Sequence, residues 1–101
     1  MKRTDAIAAV AEEVAKEKAD ALGIAGKALE VALRQLRSFD AGENSAGRTR
    51  AELVERAAER ALRLIVQREA CGLRDSKYVL EFYDVPADVA ARLGKGARQN
   101  H

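Results

Sequence analysis

The sequence predicts an all-α protein, a helical bundle in which a second helix lies antiparallel to one long helix. Apolar residues recur every three or four positions across 5–39 and again across 50–71, which is the period of a helix. Only "DSKYVLEFYDV", residues 75–85, has the composition of a strand. A strand needs a pairing partner, and no second segment of that composition exists. We therefore predict a short helix there too.

Composition limits the chain to one domain, residues 1–101. Of its residues 48% are hydrophobic and 34% are charged, the proportions of an ordinary globular protein. Each half carries nine Lys or Arg against eight acidic residues, so neither half is a basic lobe. Balanced charge of this kind argues against a nucleic-acid-binding protein.

The scarcity of cysteine and histidine excludes several kinds of site. One cysteine excludes an internal disulfide and a multi-cysteine zinc site. The single histidine is the last residue, which excludes histidine pairs and disfavours a catalytic triad. The sequence thus predicts no catalytic, cofactor-binding or metal-binding residues, no cofactor, and a protein that is not an enzyme.

The first residues do not resemble a secretory leader, because acidic residues interrupt them from Asp5 onward. No uncharged run approaches the roughly 18 residues that a membrane span needs. We predict a cytoplasmic protein that does not bind membranes.

Helix one, predicted over about 5–39, has two parallel rows of apolar residues. Two adjacent rows make an apolar face wide enough for two neighbouring helices. The first row contains Ile7, Val10, Val14, Ala21, Ile24, Ala28 and Val31. The second contains Ala8, Ala15, Leu22, Leu29 and Leu36, with Ala25, Ala32 and Phe39 between them.

A loop at 40–49 separates helix one from helix two, predicted over about 50–71. Thr49 and Glu52 have the spacing of a capping box, in which both side chains bond to free backbone amides at the helix start. Gly72 is suited to end the helix, because glycine readily adopts the left-handed conformation. The predicted inner face is Val54, Ala57, Ala61, Leu64 and Ile65.

Two short helices are predicted to close the bundle. The first, about 76–83, is capped by Asp75 or Ser76 and lies across the bundle as a lid. The second, about 86–93, has Pro86 in its first turn and ends at Gly94. Residues 94–101 then form a basic, solvated tail.

The length of helix one predicts a homodimer. A straight helix over 5–39 would be about 52 Å long, whereas helix two would cover only about 33 Å of it. Either helix one breaks at Gly23 and Gly26, or a second copy covers its excess length. The leucine row keeps its phase across both glycines, which favours an unbroken helix. The predicted helix–helix and dimer face is Leu22, Gly23, Ala25, Gly26, Leu29, Ala32 and Leu36.

The stretch "QREACGLRD", residues 67–75, combines the only cysteine with two arginines and two carboxylates. A reactive thiol needs a lowered pKa, but Cys71 lies at the C-terminal end of helix two, where the helix dipole disfavours a thiolate. We predict a structural helix junction instead, with Arg68 reaching Glu13 or Glu17 of helix one. Its residues are Arg68, Cys71, Gly72, Arg74 and Asp75.

This stretch and "EKADALGIAGKALEVAL", residues 17–33, resemble a bacterial family of small helical proteins classed as a domain of unknown function. The resemblance covers about 10–94. Relatives often have an aromatic residue where this chain has Glu12. The resemblance implies a helical architecture and no activity.

Three functions are compatible with these observations. The excess apolar helical face favours a protein–protein interaction, structural or adaptor protein. Arg56, Arg60 and Arg63 form a stripe that would suit a nucleic-acid-associated protein, although Glu52 and Glu59 can neutralise much of it. A thiol-dependent or redox-sensing protein would use Cys71.

Overall fold

The computed structural model describes residues 3–43 and 46–99, and within them the chain is all-α, as predicted. Four helices follow one another: α1 (Arg3–Asp40), α2 (Arg50–Ala70), α3 (Ser76–Phe82) and α4 (Ala87–Gln99). The prediction of an unbroken first helix is confirmed, since α1 passes through Gly23 and Gly26 without interruption.

Local chemistry accounts for where the helices begin and end. At the start of α2 the Thr49 hydroxyl accepts a bond from the Glu52 amide and the Glu52 carboxylate accepts one from the Thr49 amide, which completes the capping box. Gly72 has a φ of 84° and turns the chain out of α2. Asp75 caps α3 by accepting a bond from the Tyr78 amide.

The core lies between α1 and α2, with one buried valine from each short helix. Leucines of α1 and α2 alternate with alanines, so the two helices pack closely. The buried residues are Ala25, Leu29, Ala32, Leu33, Leu36, Leu53, Ala57, Ala58, Ala61, Leu64, Val79 and Val89. The predicted inner face of α2 therefore shifts slightly toward Leu53 and Ala58, with Val54 and Ile65 at its margin.

α3 carries the chain from the C-terminal end of α2 back toward the loop that joins α1 and α2. The carbonyl of Tyr83, at its end, accepts a bond from Arg37 near the end of α1. α4 then runs beside the first turns of α2, because Asp88 pairs with Arg50 and Arg92 pairs with Glu55.

The last helix is longer than predicted. Gly94 does not end it, and α4 continues to Gln99. A glycine ends a helix when it adopts positive φ, and Gly94 is not among the residues that do so. Pro86 precedes the helix, and its carbonyl accepts the bond from the Ala90 amide. Residues 100 and 101 of the predicted tail lie outside the described residues.

The molecule is elongated because α1 extends past the rest of the fold. Its radius of gyration is 17.2 Å and its longest dimension is 60 Å, whereas a compact chain of this length has a radius of gyration of about 13 Å. Every residue from 3 to 20 is exposed. The first half of α1 thus has no contact that buries any of its side chains.

Candidate functional site

The most unusual surface of the described chain is a row of apolar side chains along α1, most of them exposed. We call it the α1 stripe. Its members follow one side of the helix in steps of three and four positions, except for one step of seven that passes over Glu17. They are Ile7, Val10, Val14, Ala21, Ile24, Ala28 and Val31.

The larger side chains of the stripe are exposed, from 37% at Val31 to 72% at Ile24, whereas Ala21 and Ala28 are half-buried. Ile7 is 61% exposed, Val10 is 59% exposed and Ile24 is 72% exposed. Single exposed apolar residues are common on protein surfaces, whereas several large ones along one side of a helix are typical of an interaction site. The residues of the stripe were all recognised in the sequence as an apolar row. What the sequence did not reveal is that, after residue 20, the neighbouring row packs on α2 while Ile24 and Val31 of this row stay exposed.

The predicted dimer face is occupied within the chain. Ala25, Gly26, Leu29, Ala32 and Leu36 are buried, and all of them except Gly26 belong to the core between α1 and α2. The face is therefore a helix–helix contact, as predicted, but one within a single chain. This corrects the expectation that these five residues contact a second copy.

The other two residues of that face lie at its edge. Leu22 is half-buried and packs against the core. Gly23 is exposed, and a Cβ added there would meet no atom within 4 Å.

Gly26 has a different role from Gly23. A Cβ on Gly26 would lie 2.6 Å from the hydroxyl oxygen of Tyr83, which is too close for two atoms not bonded to each other. Tyr83 therefore packs directly on the backbone of α1 at this position. Burial raises the pKa of its hydroxyl, with a smaller contribution from Glu30. Gly26 thus accommodates α3 rather than a second copy.

The junction after α2 has the predicted backbone role and different side-chain contacts. The Cys71 amide donates to the carbonyl of Arg68 and the Gly72 amide to that of Glu69, and the half-buried thiol is free. Arg74 is exposed. In the described chain neither Arg68 nor Arg74 forms an ion pair, so the predicted contacts of Arg68 with Glu13 or Glu17 are absent.

Arg68 instead lies over an aromatic ring. Its guanidinium carbon is 4.5 Å from the centre of the Tyr78 ring, a distance at which a cation is attracted to the ring face. Tyr78 stacks on Phe82 with ring centres 5.4 Å apart. Glu13 and Glu17 are out of reach because they lie on the exposed half of α1, beyond the end of α2.

Phe82 and Tyr83, at the end of α3, form one side of a cleft on α1 and do not cover an enclosed pocket. Phe82 is 64% exposed, so the predicted lid is open. The cleft has a volume of about 320 Å³ and is lined by Glu30, Leu33, Arg34, Arg37, Phe82 and Tyr83.

An ion-pair cluster that sequence reasoning missed joins three helix ends. The Arg50 guanidinium donates to both oxygens of Asp40, at 2.8 and 3.1 Å, and to Asp88 at 2.6 Å. These bonds lower the pKa of both carboxyls and raise that of Arg50. Its residues are too far apart in sequence for helical spacing to suggest the contact.

The arginines of α2 are partly neutralised, though not all as predicted. Glu59 pairs with Arg60 at 2.8 Å and with Arg63 at 3.3 Å. Glu52 is engaged in the capping box, and no ion pair joins it to Arg56 among the described residues. Acids thus interrupt the basic stripe that a nucleic-acid-associated protein would need.

No protein-family model, curated protein or solved structure matches this chain. The α1 stripe therefore has to be interpreted from its own geometry. Within residues 3–43 and 46–99, no three His, Cys, Asp or Glu residues are grouped as a metal ion would require. None of the described helices is both long and apolar enough to span a membrane.

Proposed function

We propose that this protein works by protein–protein association, as a small structural or adaptor protein, and that it forms a homodimer through the α1 stripe. The observation that carries the proposal is the exposed row of aliphatic side chains on a helix that extends beyond the rest of the fold. The proposed interaction surface is therefore the α1 stripe, which lies next to the leucine row predicted from the sequence.

The stability of α1 itself supports the proposal. Isolated helices shorter than about 12–15 residues are marginal in water, and most helices are stabilised by packing an apolar face. Residues 3–20 carry such an apolar face, but no described side chain packs against it. A second helix along the α1 stripe supplies that contact and removes the exposed side chains from water.

Charge supports association with protein over association with nucleic acid. The net charge is only +2, and the basic residues of α2 alternate with acids. We further propose a cytoplasmic location, in which the single free thiol of Cys71 stays reduced.

Sedimentation equilibrium of the purified chain and of two matched variants tests the proposal. We expect the wild-type chain to sediment at twice its 11.0 kDa mass. Val10→Glu places a charge in the α1 stripe and should shift the chain toward the monomer, because burying an unpaired carboxylate is unfavourable.

Val66→Glu on α2 is the matched control. Val66 is 55% exposed and Val10 is 59% exposed, so the two substitutions differ mainly in which helix carries them. The control should leave the mass unchanged. A monomeric wild-type chain, or equal effects of both substitutions, would refute association through the stripe.

Helicity gives a second readout of the same proposal. If the dimer supports residues 3–20, dilution below the dissociation constant should reduce the helical circular dichroism of the wild type. The residues of α1 from 22 onward, which pack on α2, should stay helical on dilution. A helical signal that is independent of concentration, in a chain whose mass changes with concentration, would contradict this coupling.

A further inference from the structure

Charges of opposite sign flank the two halves of the α1 stripe. One side of the stripe is bordered by four charged positions spaced by seven residues, which are Glu13, Asp20, Lys27 and Arg34. The first two are acidic and the last two basic, and all four are exposed. The only ion pair they form within the described chain is that of Lys27 with Glu30, at 3.6 Å between two exposed side chains.

We propose that two copies pair with their α1 helices antiparallel, so that Glu13 of each copy faces Arg34 of the other and Asp20 faces Lys27. This inference rests on the proposed self-association and adds its direction and register. Glu13 and Arg34 lie almost equally far from Gly23 along the helix, and so do Asp20 and Lys27. A two-fold axis beside Gly23 therefore brings both acid–base pairs together, twice in each dimer.

The same register matches the inner residues of the stripe, whereas Val10 and Ile7 at its end face Gln35 and Ser38 of the second copy. Together with Glu17, which lies between Val14 and Ala21, the residues of the stripe follow alternating steps of three and four, the spacing of positions a and d in a two-helix coiled coil. The four charges occupy the g positions, and g residues of antiparallel helices face one another. Their pairing places Val14 opposite Val31, and Ala21 opposite Ile24, of the second copy. A small residue thus faces a larger one beside the axis, and two valines face each other farther out.

Glu17 decides against the parallel alternative. It occupies a d position of the stripe, between Val14 and Ala21. In a parallel pair each d residue faces its own equivalent, so two Glu17 carboxylates would meet in the interface and repel one another. In the antiparallel register Glu17 faces Ala28, and its carboxylate can extend to the solvent at the edge.

The monomer fold leaves room for this second helix. Ile24 and Val31 point away from α2, since both are exposed while Leu29 and Leu36 of the neighbouring row are buried. From Ile7 to Val31 the stripe is about 36 Å long at 1.5 Å per residue. A second α1 can therefore lie along it without displacing any core residue.

Two charge-reversal variants, measured separately and as a mixture, test the direction and register of the pairing. The first variant, Glu13→Arg with Asp20→Lys, is basic at all four flanking positions, and the second, Lys27→Glu with Arg34→Glu, is acidic at all four. Each variant alone should dimerise on the order of tenfold more weakly than wild type, or worse, because like charges face each other. An equimolar mixture should form a heterodimer at least as readily as wild type forms its homodimer.

A matched control separates the effect of where the charges lie from the effect of the change in net charge. Asp5→Lys with Glu12→Arg makes the same change of net charge on the side of α1 away from the stripe, and its dimer should match that of wild type. Circular dichroism confirms that every variant retains its core helices.

Other outcomes separate the two proposals. A wild-type chain that is monomeric would overturn both. A second variant that dimerises as well as wild type would overturn only the antiparallel register, because parallel helices would pair Glu13 with Lys18, which that variant retains. Two weakened variants that fail to associate when mixed would also overturn the register while leaving the α1 stripe as the interface.

Discussion

Gly26 and Tyr83 are in direct contact: the tyrosine hydroxyl occupies the space where a Cβ of residue 26 would lie. The glycine therefore allows α3 to pack on α1. Gly23, three residues earlier on the same helix, has open space around it. The two glycines have the same local structure and different surroundings, so they serve as controls for one another.

Alanine at these two positions should have different effects. In a helix interior alanine is favoured over glycine by about 0.8–1 kcal/mol. We expect Gly23→Ala to raise the free energy of unfolding by about that amount. Gly26→Ala should fail to gain it, because its methyl group collides with Tyr83. Urea denaturation followed by circular dichroism measures both.

Removing the tyrosine hydroxyl should relieve the collision. In a Tyr83→Phe background, the atom nearest to a Cβ at Gly26 is the ring carbon, at 3.7 Å, which is an ordinary contact distance. Gly26→Ala should then be at least as stable as its parent. Equal effects of Gly23→Ala and Gly26→Ala in the wild-type background would contradict the contact.

The core should respond to truncation at Leu29. Its side chain is fully buried between α1 and α2, and Leu29→Ala should lower the free energy of unfolding by about 2–5 kcal/mol. Leu62, on the outer face of α2, is 42% exposed, and Leu62→Ala should cost much less. Chemical denaturation of both variants checks this. Comparable losses would place the helix contact elsewhere.

The Arg50 cluster should make stability depend on pH in acid. Because Arg50 lowers the pKa of Asp40 and Asp88 below their usual value of 3.8, folding favours their ionised forms. Their contribution to stability is complete above that value. It is lost as the pH falls through the lowered pKa values. The difference in stability between wild type and Arg50→Ala should therefore be present at neutral pH and shrink in strong acid.

Lys77→Ala provides the control for that experiment. Lys77 and Glu81 are 3.9 Å apart and highly exposed, so their interaction contributes little. The control should unfold like wild type at every pH. A difference in unfolding free energy between wild type and Arg50→Ala that stays constant from neutral pH to strong acid would contradict the pairing of Arg50 with the two carboxyls.

Helical periodicity predicted most of the fold, because it reports local geometry. The continuity of α1, the capping box at Thr49 and the turn at Gly72 all follow from residues close in sequence. The contact of Arg50 with Asp88 was not predictable in this way, since it depends on how α4 meets α2. The end of α4 was predicted wrongly at Gly94, because glycine permits a helix end without requiring one.

The candidate site shows the same limit. Two apolar rows on α1 were visible in the sequence, but periodicity alone does not say which row faces α2. The buried Leu29 and Leu36, together with the exposed Ile24, decide the question. The resemblance of residues 67–75 to a bacterial helical family stays a prediction.

The distance between spin labels on the two copies tests the central claim most directly. A nitroxide at Ala9→Cys, in a Cys71→Ser background, lies on the side of α1 away from the stripe, so it does not occupy the proposed interface. Antiparallel pairing about Gly23 separates the two labels by 28 residues of helix, or about 42 Å, measurable by pulsed dipolar spectroscopy. We predict a distribution centred near that distance. A distance below about 30 Å, as expected for labels on the outer sides of parallel helices some 8–10 Å apart, or the absence of any dipolar interaction, would contradict the account.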